Sequence, residues 1–295
     1  MPELPDVTLY VEALAERVVG EPLQELVILS PFVLRSFDPP LASVASRVVL
    51  GVRRMGKRIV LELDDEHFIV IHLMIAGRLR WTPATARRKA PTKFTLAELR
   101  FASGTVVFTE AGTQRRASIH LVKGRGNLAP FERGGLEVLG ASEVEFAERL
   151  RSENHTLKRA LTDPRLFSGI GNAYSDEILH RARLSPMKLT SRLSDDEVTQ
   201  LFAAVKSVLV EWTSRLREEL AGEFPDKVTA FHEGMAVHGR YNQPCPECGA
   251  PVQRIRYKSN ETNYCARCQT EGRLLADRGL SRLLKEDWPR SLDEL

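Results

Sequence analysis

All four cysteines of this 295-residue chain fall in one short C-terminal stretch, Cys245, Cys248, Cys265 and Cys268, and the 244 residues before them contain none. Two C-x2-C pairs separated by sixteen residues can each turn two sulfurs onto one ion from a tight knuckle, and four thiolates complete a tetrahedral shell for zinc. The competing readings are disulfides, which suit a secreted chain, and redox-active or incidental thiols. The spacing favours one structural zinc per chain. Such a shell has no open position for substrate, so its expected contribution is to folding, and the chemistry has to be sought elsewhere.

With 43% hydrophobic residues and 295 positions, the chain can fill two or three cores. No apolar run approaches the length of a membrane span. The start, MPELPDVTLY, lacks a basic segment followed by an apolar one, so no secretory signal is readable and a cytosolic protein is expected. The formal charge of +3, from 42 basic and 39 acidic residues, neither requires nor excludes a polyanionic partner. The placement of the charges decides.

Along residues 3–19, Val7, Tyr10, Val11, Leu14 and Val18 share a stripe at helical spacing, and Gly20 ends it. From Val48 to Trp81 the period shortens to that of strands, with a hairpin turn at Asp64-Asp65-Glu66; a second hairpin joins ELRFA to TVVFT through Ser103-Gly104, and Ser118–Val122 adds a strand. Beyond Gly140 the period is helical again. Ser142 with Glu145 and Ser194 with Glu197 fit capping boxes, and Val198, Leu201, Phe202, Val205, Val208, Leu209, Trp212 and Leu216 form a core stripe. Between these helices Gly169 and Gly171 interrupt the pattern and leave a helix start near Asn172. The expected fold is α+β: an N-terminal helix with an antiparallel β-sandwich or barrel over 1–135, helices over 136–235, the cysteine module at 236–270 and an extension at 271–295. Leu274, Leu275, Leu280, Leu283, Leu284 and Trp288 suggest that this extension packs on the protein as a helix.

Basic residues gather in three groups with no acid among them: Arg53, Arg54, Lys57 and Arg58; Arg78, Arg80, Arg87, Arg88, Lys89 and Lys93; and Arg115, Arg116, Lys123 and Arg125. Any one would suit an ordinary solvated face. Three on one β-domain, with a Gly-broken helix start and a basic cysteine module (Arg254, Arg256, Lys258, Arg267), are better explained by phosphate contacts. Nucleic acid is the expected partner.

Met-Pro-Glu-Leu-Pro at the start, Gly56-Lys57, Leu157-Lys158, Gly169-Ile-Gly-Asn-Ala-Tyr-Ser-Asp-Glu177, Val237-His-Gly-Arg240 and the four cysteines, in that order, resemble the formamidopyrimidine-DNA glycosylase/endonuclease VIII family. The resemblance runs over nearly residues 1–269. It implies an N-terminal β-sandwich, a helix-two-turns-helix domain and a zinc finger. It also implies a bifunctional DNA glycosylase/AP lyase of base excision repair, a monomer working in the cytoplasm at the bacterial nucleoid on damaged, double-stranded DNA.

For the residues, the resemblance implies that Pro2, freed by loss of Met1, is the nucleophile. An α-amino group titrates near ~8, so a useful neutral fraction exists in the cell. Glu3 is then the general acid/base and Lys57 a lysine assisting at the lesion nucleotide; Lys158 and Asn172 hold the DNA backbone. Leu4 leans towards the branch that favours oxidised purines.

Several positions depart from the family pattern. Ile75 stands for a methionine wedge, with Met74 at a usual glycine. The Asp-Pro-Arg-Arg-Phe-Gly loop is replaced by the longer Glu110–Ser118, which keeps Arg115 and Arg116 but has Ala117 for phenylalanine. Asp6 replaces a glutamate, Phe94 a histidine, and Asn260 the finger arginine linked to δ-elimination, so β-elimination is the expected outcome. Two functions remain open: the glycosylase/AP lyase, which Pro2 and Glu3 favour, and a catalytically weak or inactive damage-binding protein on the same scaffold.

Overall fold

The computed structural model describes every residue except 88, 89, 113, 227, 229–231, 258, 259, 278, 279, 288 and 295; for Leu280 and Asp287 only the backbone is described. Arg88, Lys89, Lys258 and Trp288, named above from sequence, lie outside the described residues. The chain forms two compact units, Met1–Arg133 with Trp212–Thr229, and Gly134–Glu211 with Ala230–Leu295.

In the first unit α1 (Leu4–Val18) precedes β1 (Pro22–Leu23), β2 (Glu25–Ile28), β3 (Arg47–Met55), β4 (Arg58–Leu63), β5 (His67–His72), β6 (Gly77–Pro83), β7 (Thr95–Arg100), β8 (Gly104–Glu110) and β9 (Ser118–Lys123). The strands build two antiparallel sheets, in the order β1-β3-β4-β5-β9 and β2-β7-β8-β6. One apolar cluster takes Val7, Tyr10, Leu14 and Val18 from α1, Ile59, Leu61, Ile69 and Ile71 from the first sheet, and Leu79, Leu99, Val106 and Phe108 from the second. This is the expected sandwich core. β5 is buried along almost its whole length and does not alternate. A 3-10 turn at Arg125–Phe131 lays Leu128 and Phe131 over the outer face, where Met55, Val60, Phe68, Val70 and Val122 form a second cluster.

The second unit has α2 (Glu143–Arg151), α3 (Leu157–Thr162), α4 (Asn172–Arg181), most of α5 (Asp195–Leu220), β10 (Val252–Arg256), β11 (Glu261–Cys265) and α6 (Ala266–Thr270). Both predicted capping boxes form: Ser142 N and Ser194 N donate to the Glu145 and Glu197 carboxylates, and Glu145 N and Glu197 N donate to the Ser142 and Ser194 hydroxyls. The cysteine module shares its unit with the helices. In the C-terminal extension Leu274 and Leu275 are buried against Ile255, Tyr264 and Ala266, and Leu275 N donates to Tyr264 Oη at 2.7 Å.

Candidate active site and metal centre

The amino terminus lies where α1 begins. Glu3 is 2% exposed and precedes the first helical residue; its N–H donates to Asp6 Oδ2 at 2.8 Å. Two carboxylates at the positive end of the helix are favoured by its dipole. Pro2 is buried beneath a half-buried Met1. Burial holds the Met1 amine below the ordinary α-amino range; the Arg78 and Lys57 cations push the same way, while Glu3 and Asp6 oppose them. Lys57 and Glu3, distant in sequence, thus share one electrostatic neighbourhood at the terminus.

Each neighbour has a local cause. Lys57 sits in the tight turn between β3 and β4, where Gly56 has φ +60° and its carbonyl accepts from Arg54 at 2.8 Å. Arg78 was visible in the sequence only as one of a basic group. Its guanidinium donates to the carbonyls of Gly77 and Ile75, clamping the β5–β6 turn beside the terminus. The signal that would have singled it out is the turn itself. A Cβ on Gly77 would lie 2.2 Å from the Leu73 carbonyl oxygen, and Met74 takes φ +53°, the left-handed region usual for glycine. That turn presents Ile75 outward at 64% exposure.

Loop 110–118 is folded back on its own first residue. The buried Glu110 carboxylate accepts from the N–H groups of Arg116 (3.1 Å) and Ala117 (3.3 Å), and the Arg115 guanidinium donates to the Lys93 carbonyl at 3.2 Å. Arg115 and Arg116 are exposed, whereas Ala117 belongs to the sandwich core and offers nothing in place of an exposed aromatic. The basic groups are less uniform than the sequence suggests. Arg53 pairs with Glu62 at 2.7 Å and Arg125 lies 3.6 Å from the same carboxylate, because antiparallel pairing brings β4 alongside β3 and supplies an acid that neither run contains.

In the second unit α4 starts at the Gly169–Gly171 break, with Gly169 at φ +82°. Asn172 is its first residue, and its Nδ2 donates to the Glu261 carbonyl at 2.9 Å. Lys158, expected at the DNA backbone, is 9% exposed, and its ammonium donates to the Asn172 carbonyl (2.6 Å) and to Asp176 Oδ1 (2.5 Å). The second Asp176 oxygen lies 2.8 Å from His238 Nδ1. Glu177 accepts from the amides of Ala236, Val237 and His238; burial nevertheless pushes its carboxyl above the usual range. These bonds tie the helix start to the Val237–Arg240 segment. Asn260 is exposed at the β10–β11 turn, where its carbonyl accepts from Tyr257 N.

The four cysteine sulfurs lie within 4.8 Å of one another, with Cys248–Cys265 at 3.4 Å and Cys245–Cys268 at 3.9 Å, and none is in a disulfide. Zn–S bonds of about 2.3 Å place tetrahedral thiolates about 3.8 Å apart, so the donors fit zinc. The knuckle at Cys245 closes through Gly249 N donating to the Cys245 carbonyl, with Gly249 at φ +72°. Burial pushes the Cys265 thiol up to about 11 and that of Cys268 higher still, so a divalent cation is what makes them thiolates. His180 of α4 places Nε2 3.3 Å from Cys245 Sγ, an outer hydrogen bond to the metal shell. The four cysteines hold one structural zinc. No helix among the described residues is long and apolar enough to cross a membrane.

Comparison with known proteins agrees along the chain. Residues 1–116 match the formamidopyrimidine-DNA glycosylase N-terminal domain, 140–215 the formamidopyrimidine-DNA glycosylase H2TH domain, and 242–270 the zinc finger found in FPG and IleRS. The chain is 32% identical over 281 residues to the formamidopyrimidine-DNA glycosylase of Thermus thermophilus, covering 92% of this chain and all of that one; for Heliobacterium modesticaldum the identity is 31% over 285 residues, with 91% and 100% covered. The crystal structure of the MutM (Fpg) protein from Thermus thermophilus superposes with a TM-score of 0.76 at 32% identity, covering 91% of this chain and 98% of that one. A Lactococcus lactis FPG mutant in complex with Fapy-dG-containing DNA gives 0.78 at 25% identity, with 91% and 100% covered. With full-length relatives above 30% identity and matching domains in the same order, the chain belongs to the formamidopyrimidine-DNA glycosylase family.

Proposed function

We propose that this protein is a DNA glycosylase/AP lyase of base excision repair that removes an oxidised or ring-opened base from duplex DNA, working as a monomer in the cytoplasm at the nucleoid. The observation that carries this is the setting of the amino terminus. Pro2 and Glu3 are buried together at the start of α1, and burial with the Lys57 and Arg78 cations holds the terminal amine just ahead of them below its ordinary range, a setting that favours a neutral amine nucleophile.

The amine found there is that of Met1. Cleavage after Met1 makes the secondary amine of Pro2 the new terminus, next to Glu3 at the start of α1. Its lone pair attacks C1′ of the damaged nucleotide, and the base leaves with the bonding pair and takes up a proton. Glu3 delivers a proton to the ring oxygen as the sugar opens, leaving an iminium ion. Proline nitrogen has no further proton to lose, so the positive charge persists and acidifies C2′. Loss of that proton sends electrons towards the iminium and expels the 3′ phosphate, which cuts the strand. Lys57 is the cation for the lesion phosphate. Asn172 and the first N–H groups of α4 hold backbone phosphate, with Lys158 bracing them from inside. Arg115 and Arg116 are placed for further phosphate contact, and Ile75 to fill the gap left by a flipped base. Asn260 brings hydrogen bonding without charge, so cleavage stops at β-elimination.

Borohydride trapping on an abasic-site duplex tests this. The processed protein should give a covalent adduct whose rate falls as pH drops and the amine protonates; a chain retaining extra residues ahead of Pro2 should give none. Denaturing gels should resolve the β-elimination product. Equal trapping by the blocked chain, or none by either, would sink the assignment of Pro2.

A further inference from the structure

Three segments meet at one end of the β2-β7-β8-β6 sheet: the turn 73–77 entering β6, residues 92–94 entering β7, and the loop leaving β8 at Glu110. The middle one carries Phe94. Its backbone is held from both directions, the N–H donating to Thr92 Oγ1 at 3.3 Å and the carbonyl accepting from Glu110 N at 2.9 Å. The residue is nonetheless 40% exposed, although the next residues, Thr95 to Leu99, are all buried. A large aromatic ring on a fixed backbone, turned partly to solvent, differs from the incidental exposure of a mobile side chain.

Its surroundings are cationic. The Lys93 ammonium lies 5.2 Å from the ring centroid, and the Arg115 guanidinium is bonded to the Lys93 carbonyl. The loop also meets the Ile75 turn: a Cβ on Gly112 would come within 3.1 Å of the Ala76 Cβ. Phe94 and Ile75 are therefore exposed apolar side chains on the two segments that flank the strand end at Glu110, with Lys93 and Arg115 beside the first. An aromatic face with cations around it is how proteins hold an unpaired base beside a phosphate backbone. Residues 110–116 contain no aromatic side chain and Ala117 is in the core, so the loop itself supplies no such face.

We propose that Phe94 is a base-stacking residue of this protein, taking the face of the base left without a partner when the damaged nucleotide swings out, while Ile75 enters the gap itself. This rests on the proposed function and adds a specificity determinant from the segment entering β7. Because base–aromatic stacking is sequence-tolerant, Phe94 should strengthen the preference for gapped over intact duplex while contributing little to discrimination among the bases opposite.

The test is equilibrium binding to two duplexes, one intact and one with a tetrahydrofuran abasic analogue opposite 2-aminopurine. Phe94→Ala should lower the ratio of abasic to intact affinity by about 10-fold and weaken the quenching of 2-aminopurine; Phe94→Trp should keep both within about 2-fold, and Phe94→Leu should fall between. The tryptophan variant guards against misreading a folding defect. Wild type that prefers the abasic duplex and forms the borohydride adduct, with Phe94→Ala showing the same ratio, overturns this inference alone. Wild type with neither preference nor adduct overturns the proposed function and this inference with it.

Discussion

The starts of α1 and α4 both carry candidate functional groups, and they are built in opposite ways. At α1 the start of the helix is capped from within, Glu3 N–H meeting Asp6 three residues on, and charges from far along the chain, Lys57 and Arg78, act on the amine. At α4 direct bonds arrive from far along the chain: Glu261 to Asn172 at the helix start, His238 to Asp176 and residues 236–238 to Glu177 one turn on, and Cys245 to His180 in the last turn. A nucleophile needs an amine kept neutral by burial, with nothing occupying the lone pair it must use. A phosphate-holding helix start needs donors fixed in direction, and a satisfied buried network rigidifies them. One site is tuned by field, the other by bonding.

The largest effect expected from this contrast is metal removal. Structural zinc sites contribute about 10–16 kcal/mol of apparent binding energy to folding, and here the shell is joined to α4 through His180. Stripping the zinc with a chelator, or Cys265→Ser, should raise amide exchange through 236–270 and through α4, while α1 keeps its protection. Metal analysis should give close to one zinc per chain beforehand. Equal loss of protection in α1 and α4 would break the contrast.

Next in size is the Lys158–Asp176 pair. Removing one partner of a buried ion pair costs about 3–5 kcal/mol, because a charge is left without compensation. Lys158→Met should therefore destabilise the protein by about that amount in urea unfolding, and Lys158→Met with Asp176→Asn should recover part of it. The same variants sharpen the role of Lys158. A lysine that touches phosphate lowers the slope of log affinity against log salt by about 1 when removed, whereas a bracing lysine leaves that slope in place.

The legibility of the two sites follows from this difference. α1, both long hairpins and both capping boxes are written in adjacent residues, so periodicity and spacing suffice to find them. The metal site is also legible, because thiolate chemistry leaves few alternatives for two C-x2-C pairs. The inward turn of Lys158 was not, since its partner Asp176 is eighteen residues away across a break in the helix pattern. The same holds for Glu62, which reaches Arg53 and Arg125 only through strand pairing. The burial of β5 on both faces depends on a 3-10 turn nearly sixty residues later, so its apolar run could be read as a strand but not as a covered one. Phe94 was visible as a departure from the family pattern; its position at a sheet end beside Ile75 and Arg115 required the fold.

The smallest effect tests burial and the cations around His72, among which Lys57 also acts on the amine. His72 ends β5, paired across to Arg58 and Ser118. Its pKa is lowered to about 4, first by burial and then by the cations of Arg58, Lys57 and Arg133 and the neighbouring His120 ring. The unfolded chain takes up a proton at the ordinary value near 6.5 and the folded protein does so only near 4, so between those values the unfolded state binds more protons. Stability should accordingly be intact above pH 6.5 and fall as pH drops towards 4, by up to about 2 kcal/mol for a partly buried ring. His120, lowered by burial and then by Arg58 and Arg35, adds in the same direction. Urea midpoints measured at pH 7 and pH 5 for wild type and His72→Asn isolate the term, since carboxylate contributions enter both curves. If the two proteins lose stability in parallel, burial and the surrounding cations do not hold the His72 ring neutral in the folded protein, and the field that Lys57 exerts on both this ring and the amine loses its support.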